Sequence, residues 1–366
     1  MLSPHDPVVL LQHQGLTDLS GKTGLTLLRY RSGPVLAVID PAQAGGDLEA
    51  LTGIARAVPI VASMAEALPL LPADRPADRP VVAVVGLAPS GGRLPPELRA
   101  DLAAALRAGL SVASGLHTRL AADPELAALV QPGRWIWDLR REPAALVVGA
   151  ARAAALPGRR LLAVGSDMSV GKMSACLELL AAARRRGLDA RFVGTGQAGI
   201  LISGSGVALD AVRVDYAAGA VEQAVLTAGE AASTDTWLLV EGQGSFAHPG
   251  STATLPLLRG SQPTDLLMVH RAGQRTIRNQ PHVAVPPLHE LIAVVEAMAA
   301  LGRPAEAPLP PPRVRAIALN TAGLEPAAAC DAAAAVAAAT GLPCHDPVRQ
   351  GGDALWADLL NPPGSG

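Results

Sequence analysis

Net charge, cysteine, lysine and long apolar runs are what this 366-residue sequence has least of. Its 30 Lys and Arg nearly balance 32 Asp and Glu, leaving a formal net charge of −2. No global basic field therefore points to nucleic acid or to an acidic membrane surface. Cys176, Cys330 and Cys344 are too few and too scattered for a disulfide framework or a zinc knuckle, and a reducing compartment fits. No stretch reaches the roughly 18 uninterrupted apolar residues of a membrane span. The Ala-rich run at Ala327–Thr340 is broken by Cys330 and Asp331 and reads as a soluble helix. The opening MLSPHDPVVLLQHQ has neither a cationic start nor a cleavage-site pattern, so the expectation is a cytoplasmic protein without a signal peptide. Among the basic residues only Lys22 and Lys172 are lysine. A compact ammonium on a flexible stem does what a planar guanidinium cannot, which makes both positions worth following.

The length suits two domains of ordinary size, and the pattern repeats itself accordingly. In the first half, Val35–Ile39, Val81–Val85, Ser111–Ser114 and Trp135–Asp138 read as strands, and Gly46–Arg56, Met64–Leu68 and Pro95–Ala108 as helices. In the second half, strands are expected at Leu161–Val164, Ala190–Gly194, Trp237–Val240, Leu266–His270 and Val314–Leu319. Helices are expected there at Lys172–Arg186, Ala217–Gly229, Leu288–Ala300 and Pro326–Thr340. Pro72–Pro80 reads as a surface linker and Arg303–Pro312 as an exposed loop, and a boundary falls near Arg140–Gly158. Alternating strands and helices argue for two α/β domains, 1–145 and 155–366, each a doubly wound parallel sheet with ligands at the carboxyl ends of its strands.

The sharpest motif follows the strand Leu161–Val164: Gly165-Ser-Asp-Met-Ser-Val-Gly171-Lys172, then a helix. Strand, glycine-rich loop and helix is the context a phosphate-binding P-loop requires. The N–H groups of Ser169, Val170, Gly171 and Lys172 would form a nest for a diphosphate. The helix N-terminus adds partial positive charge there, and the lysine a full one. Met173 stands where nucleoside triphosphatases carry Ser or Thr to hold Mg²⁺, and a thioether is a poor ligand for that hard ion. Ser174 lies about 100° further round the helix and does not replace it. Gly15–Thr23 spells a similar pattern but is followed by Gly24-Leu-Thr-Leu-Leu, which reads as a strand, so it is taken as a loop.

Other candidates sit after the remaining strands. Glu241-Gly-Gln243-Gly-Ser245 puts a carboxylate at a strand's carboxyl end beside the loop. Thr195 and Gln197 form a plausible wall, and Asp215 suits a helix N-cap as well as a ligand contact. Asn320 suits a turn as well as a base edge. His270 to His282 carries arginines, Arg278 among them, that match carboxylates bidentately. The histidine spacing, without neighbouring Cys or Glu, makes no metal site.

These residues carry a resemblance. GSDMSVGK followed by a strand ending in EGQGS resembles the dethiobiotin-synthetase type of P-loop fold. The whole chain is similar to the domain of unknown function 1611 family, associated with D-glutamate N-acetyltransferases. The similarity runs through Lys22–Tyr30, Val35–Asp40, Ala88–Pro96, Ser114–His117, Gly165–Met173, Gly194–Ile202, Val240–Ser245, Gly260–Pro263, His270–His282 and Leu319–Gly323. It implies a Rossmann-like N-terminal domain followed by a P-loop domain, acetyl-CoA as donor and D-glutamate as acceptor. On that reading Gly165, Ser169–Lys172, Met173, Ser174 and Asn320 hold the donor. Thr195, Gln197, Asp215, Gln243, Arg278 and His282 face the acceptor, and Glu241, or else His270, is the base. The alternative is a ligase or kinase using ATP and Mg²⁺. The expected partners are small molecules, with self-association left open.

Overall fold

The computed structural model describes residues 2–74, 79–306 and 310–361, so parts of the Pro72–Pro80 linker and the Arg303–Pro312 loop lie outside the described residues. The chain divides into two compact units, Met1–Arg141 with Gln197–Ala208, and Glu142–Gly196 with Leu209–Gly366. Residues 197–208, which a boundary at 140–158 assigns to the second half, thus group with the first unit.

The first unit is built on six parallel strands: β1 (Val8–Leu11), β2 (Val35–Ile39), β3 (Ile60–Val61), β4 (Val82–Val85), β5 (Ser111–Ser114) and β6 (Ile136–Asp138). Their order, β3-β2-β1-β4-β5-β6, is that of a Rossmann-like sheet with its switch point between β1 and β4. Alternate side chains go to opposite faces. Val9, Leu11, Ala37, Ile39 and Val85 pack on one face against Met64, Leu98, Leu102 and Leu106, while Val8 and Leu10 are as fully buried on the other. Burial on both faces is why these strands are continuous apolar runs.

Two expectations fail here. β1, at the centre of the sheet, was not anticipated, although Val8–Leu11 is an apolar run as long as the strand expected at Trp237–Val240. The segment from Gly24 to Leu28 is not a strand but part of the helix Lys22–Tyr30, which buries Thr23, Gly24, Leu27 and Leu28 at helical spacing. The Gly15–Thr23 loop therefore does lead from a strand into a helix, and its glycines are held by close packing. A Cβ on Gly21 would lie 1.9 Å from the Gly15 carbonyl oxygen, and one on Gly24 2.0 Å from Gln12 Oε1. Gly15 N–H donates to the Gln12 carbonyl at 2.7 Å and Gly24 N–H to the Gly86 carbonyl at 2.8 Å. The glycines serve close approach of backbone, and the Gly15, Gly21 and Gly24 N–H groups already have acceptors.

The second unit carries the parallel strands β7 (Arg159–Gly165), β8 (Ala190–Val193), β9 (Trp237–Val240), β10 (Asp265–Arg271), β13 (Arg313–Asn320) and β14 (Cys344–His345), in the order β14-β13-β10-β7-β9-β8. Between β10 and β13 an antiparallel hairpin, β11 (Thr276–Ile277) with β12 (Gln280–Ala284), stands as its own two-stranded sheet. The helices Leu288–Ala300 and Pro326–Thr340 occupy their expected spans. Short helices at Gln197–Ser203 and Thr254–Ser261, and the terminal Asp353–Leu360, were not read from the pattern. No helix among the described residues is long and apolar enough to cross a membrane.

The packing of the first loop makes a prediction. Gly21→Ala forces backbone against backbone and lowers the stability of the first unit by about 2–3 kcal/mol, seen as an earlier unfolding transition in calorimetry. Lys22→Ala, on an exposed side chain, stays within about 0.5 kcal/mol. Equal, negligible shifts from both would contradict the packing account.

Candidate active site

β7 ends in the loop Gly165–Gly171, and the helix Lys172–Arg185 opens directly on the lysine. Ser169 (φ 56°) and Gly171 (φ 116°) are both left-handed, which curls the chain into the concave form that gathers successive N–H groups. The first helical bond of the new helix runs from Ala175 N–H to the Gly171 carbonyl at 2.9 Å. The N–H groups of the preceding turn, at Lys172, Met173 and Ser174, are those that a helix leaves without an internal acceptor.

Lys172 is buried, and its Nζ donates to the Asp167 carbonyl at 2.8 Å. Removal from water pulls its pKa down to about 8, against the opposing pull of the Asp167 and Glu241 carboxylates. Glu241, at the end of β9, is equally buried. Its Oε2 accepts from Thr195 N–H at 2.9 Å and Gly196 N–H at 3.1 Å. Burial raises its pKa above the ordinary carboxylate value, with the two N–H groups and Lys172 restraining the rise. Gly242 permits this approach, since a Cβ there would stand 1.6 Å from the Ala163 carbonyl oxygen of β7 and 3.0 Å from Lys172 Cδ. The Gln243 amide donates to the Thr195 carbonyl, and Thr195 Oγ1 donates to the Glu241 carbonyl at 2.9 Å. Thr195, Glu241 and Gln243 are thus one connected cluster.

His270, at the end of β10, pairs through Nδ1 with Ser166 Oγ at 2.8 Å, and burial lowers its pKa, so the ring is neutral at neutral pH. Asn320 spends one N–H on the Val170 carbonyl (2.9 Å) and its oxygen on Ala322 N–H (3.0 Å), which makes it a brace of the loop. Beside it lies a cleft of about 370 Å³ lined by Val170, Ser174, Ala175, Asn320, Pro347, Val348 and Arg349. Asp346 fixes that wall by accepting from Thr321 N–H at 3.0 Å.

Not every candidate is brought to this place. Gln197 belongs to the first unit, where it is buried and donates to Thr23 Oγ1 at 2.8 Å. Asp215 is not an N-cap. Arg213 holds that position, and Asp215, exposed in the first turn, lines a separate cleft of about 840 Å³ with Ser251, Thr252 and Arg259. Arg278 and His282 lie exposed on the β11–β12 hairpin, and it is the Arg278 N–H, not its guanidinium, that reaches the loop at Asp167. Two loop residues were missed. Ser166 anchors His270. Asp167, fully buried, accepts from Met168 N–H at 2.6 Å, Gln274 Nε2 at 2.6 Å and Arg278 N–H at 2.7 Å. The signal for Asp167 was legible: an acid inside an anion-binding loop is tolerable only if donors from elsewhere occupy it.

Comparison with known proteins agrees with this architecture. Residues 147–356 match a family model described as a domain of unknown function 1611 P-loop domain, and 41–142 match its Rossmann-like N-terminal partner. A protein from Pseudoalteromonas sp., named D-glutamate N-acetyltransferase, is 36% identical over 278 residues, 75% of this chain and 80% of its own. One of the same name from Tritonibacter scottomollicae is 37% identical over 274 residues, 74% of this chain and 79% of its own. The crystal structure of a family protein from Anabaena variabilis is 50% identical and superposes with a TM-score of 0.86, covering 97% of this chain and 99% of that one.

The geometry predicts that Lys172→Ala weakens binding of a phosphate-bearing ligand about ten- to a hundredfold, the worth of one charge-assisted contact. Calorimetric titration with coenzyme A and with ATP reads this directly. Unchanged affinity for both would remove the loop from the site.

Proposed function

The chain belongs to the domain of unknown function 1611 family, and from that membership we propose that it transfers the acetyl group of acetyl-CoA to the amino group of a D-amino acid, with D-glutamate the preferred acceptor. The names of the two curated relatives support the reaction class. Within this chain the reading rests on one observation: a buried carboxylate, Glu241, with a raised pKa stands at the strand end beside a buried lysine and a phosphate loop. Met173 in place of a hydroxyl favours a donor whose phosphates are a handle over one that needs Mg²⁺ for phosphoryl transfer.

The residues fit the donor. The left-handed turns at Ser169 and Gly171, the helix N-terminus and Lys172 suit a diphosphate, and the adjoining 370 Å³ cleft, apolar at Val170, Pro347 and Val348, suits an adenine. Arg349 and Arg271 supply charge for a further phosphate. The acceptor amine attacks the thioester carbonyl, the C–N bond forms and the C–S bond breaks, and the thiolate of coenzyme A leaves. The amine must shed a proton, and Glu241 takes it, because burial has made its carboxylate a stronger base than an exposed one. His270, held by Ser166 and kept neutral, is the second candidate for that step. On this reading the exposed Arg278 and His282 of the hairpin would meet acceptor carboxylates.

Release of free thiol from acetyl-CoA on adding D-glutamate, in the presence of EDTA, is the expected result. Glu241→Gln should keep coenzyme A affinity and lower kcat by about a hundredfold or more, since the amide cannot accept the proton. Because the Glu241 pKa is raised, activity should fall with decreasing pH at a value above the ordinary glutamate range, as the carboxylate protonates. No thiol with any amino acid, together with Mg²⁺-dependent ADP formation, would favour the ligase instead.

A further inference from the structure

A carboxylate has no obvious place inside an anion-binding loop, yet Asp167 is its third residue and has no exposed surface. The residue faces two ways. Its backbone carbonyl receives the Lys172 ammonium at 2.8 Å. Its side chain receives Met168 N–H on Oδ1, and both Gln274 Nε2 and Arg278 N–H on Oδ2, at 2.6, 2.6 and 2.7 Å. Gln274 precedes β11, and Arg278 opens the turn between β11 and β12, where Asn279 is left-handed at φ 65°. That hairpin pairs only with itself, and an isolated two-stranded hairpin is marginal in water. Just before this segment, at the end of β10, Arg271 Nη2 reaches the Ser169 carbonyl only at 3.4 Å.

We propose that Asp167 is a positioning residue that seats the β11–β12 hairpin on the phosphate loop and so sets selectivity for an anionic acceptor. Through this one buried carboxylate, the arginine- and histidine-bearing hairpin is fixed in relation to Lys172 and the donor phosphates. The negative charge of Asp167 is absorbed by the hairpin's own N–H donors, which keeps it from opposing an incoming phosphate. The proposal rests on the reading of Arg278 and His282 as the acceptor side. It deepens that reading by assigning their placement to a residue that touches neither substrate.

Two variants test it. Asp167→Asn is near-isosteric but weakens both ties whichever way its amide turns: an NH2 at the Oδ2 site faces the Gln274 and Arg278 donors, and one at the Oδ1 site faces Met168 N–H and leaves the hairpin a neutral acceptor in place of a charged one. Gln274→Ala removes a single tie from a half-buried position and leaves the loop sequence intact. Hydrogen exchange read by mass spectrometry should accelerate at least tenfold in residues 274–284 of Asp167→Asn, and less in Gln274→Ala. Exchange in the helix Lys172–Arg185 should be unchanged in both. With D-glutamate the KM should rise at least tenfold in Asp167→Asn, while the dissociation constant of coenzyme A moves less than threefold. Unaltered hairpin exchange, or a loss of coenzyme A affinity with the acceptor KM unchanged, would overturn the assignment. The exchange measurement needs no turnover, so it decides the role of Asp167 even if the acetyltransfer reading fails.

Discussion

The burial of one ammonium group governs the architecture of the second unit. Taking a lysine out of water costs several kcal/mol unless other groups replace its hydration. At Lys172 that replacement comes from the Asp167 carbonyl in contact and from the Asp167 and Glu241 carboxylates nearby. The loop must curl to bring the carbonyl round, which requires the left-handed residues Ser169 and Gly171. β9 must end close against β7 to bring the glutamate in, which requires Gly242. Glu241, buried in its turn, needs the N–H groups of Thr195 and Gly196. Each demand is met by the next strand end along the sheet, and the result is a basic and an acidic group held side by side away from bulk water.

The two Gly-x5-Gly-Lys segments make an instructive pair. Both follow a central strand and both open a helix, yet their glycines answer different needs. In the first, glycine is needed because Gly21 and Gly24 lie against other backbone and against Gln12. In the second, Gly171 is needed for its positive φ. The motif is the same as text and different in physical use: the first loop's glycines admit close backbone approach, and the second's Gly171 supplies a left-handed turn.

Most strands and long helices were legible because burial on both faces writes itself as apolar runs and helical burial as a 3.6 period. What escaped did so for local reasons. Gly24–Leu28 is β-like in composition, but it is helical because its buried positions fall three and four apart. Gln197 follows a strand of one unit and packs in the other, which only tertiary structure reveals. The lysine, the glutamate and the histidine of the site were legible, since each follows a strand of the same sheet. The role of Asp167 depends on donors more than 100 residues away, and Asn320 turned out to brace the loop, two assignments that spacing alone does not make.

The central proposal, that buried Lys172 receives the phosphates of acetyl-CoA, is tested most directly by counting protons. With its pKa pulled down to about 8, Lys172 is about half deprotonated at pH 8, and a phosphate beside it restores the charged form. Calorimetric titration with acetyl-CoA at pH 8, in EDTA and in buffers of differing ionisation enthalpy, should show uptake of about half a proton per site. That uptake should vanish in Lys172→Ala. Binding without proton uptake, or no binding until Mg²⁺ is supplied, would contradict the account.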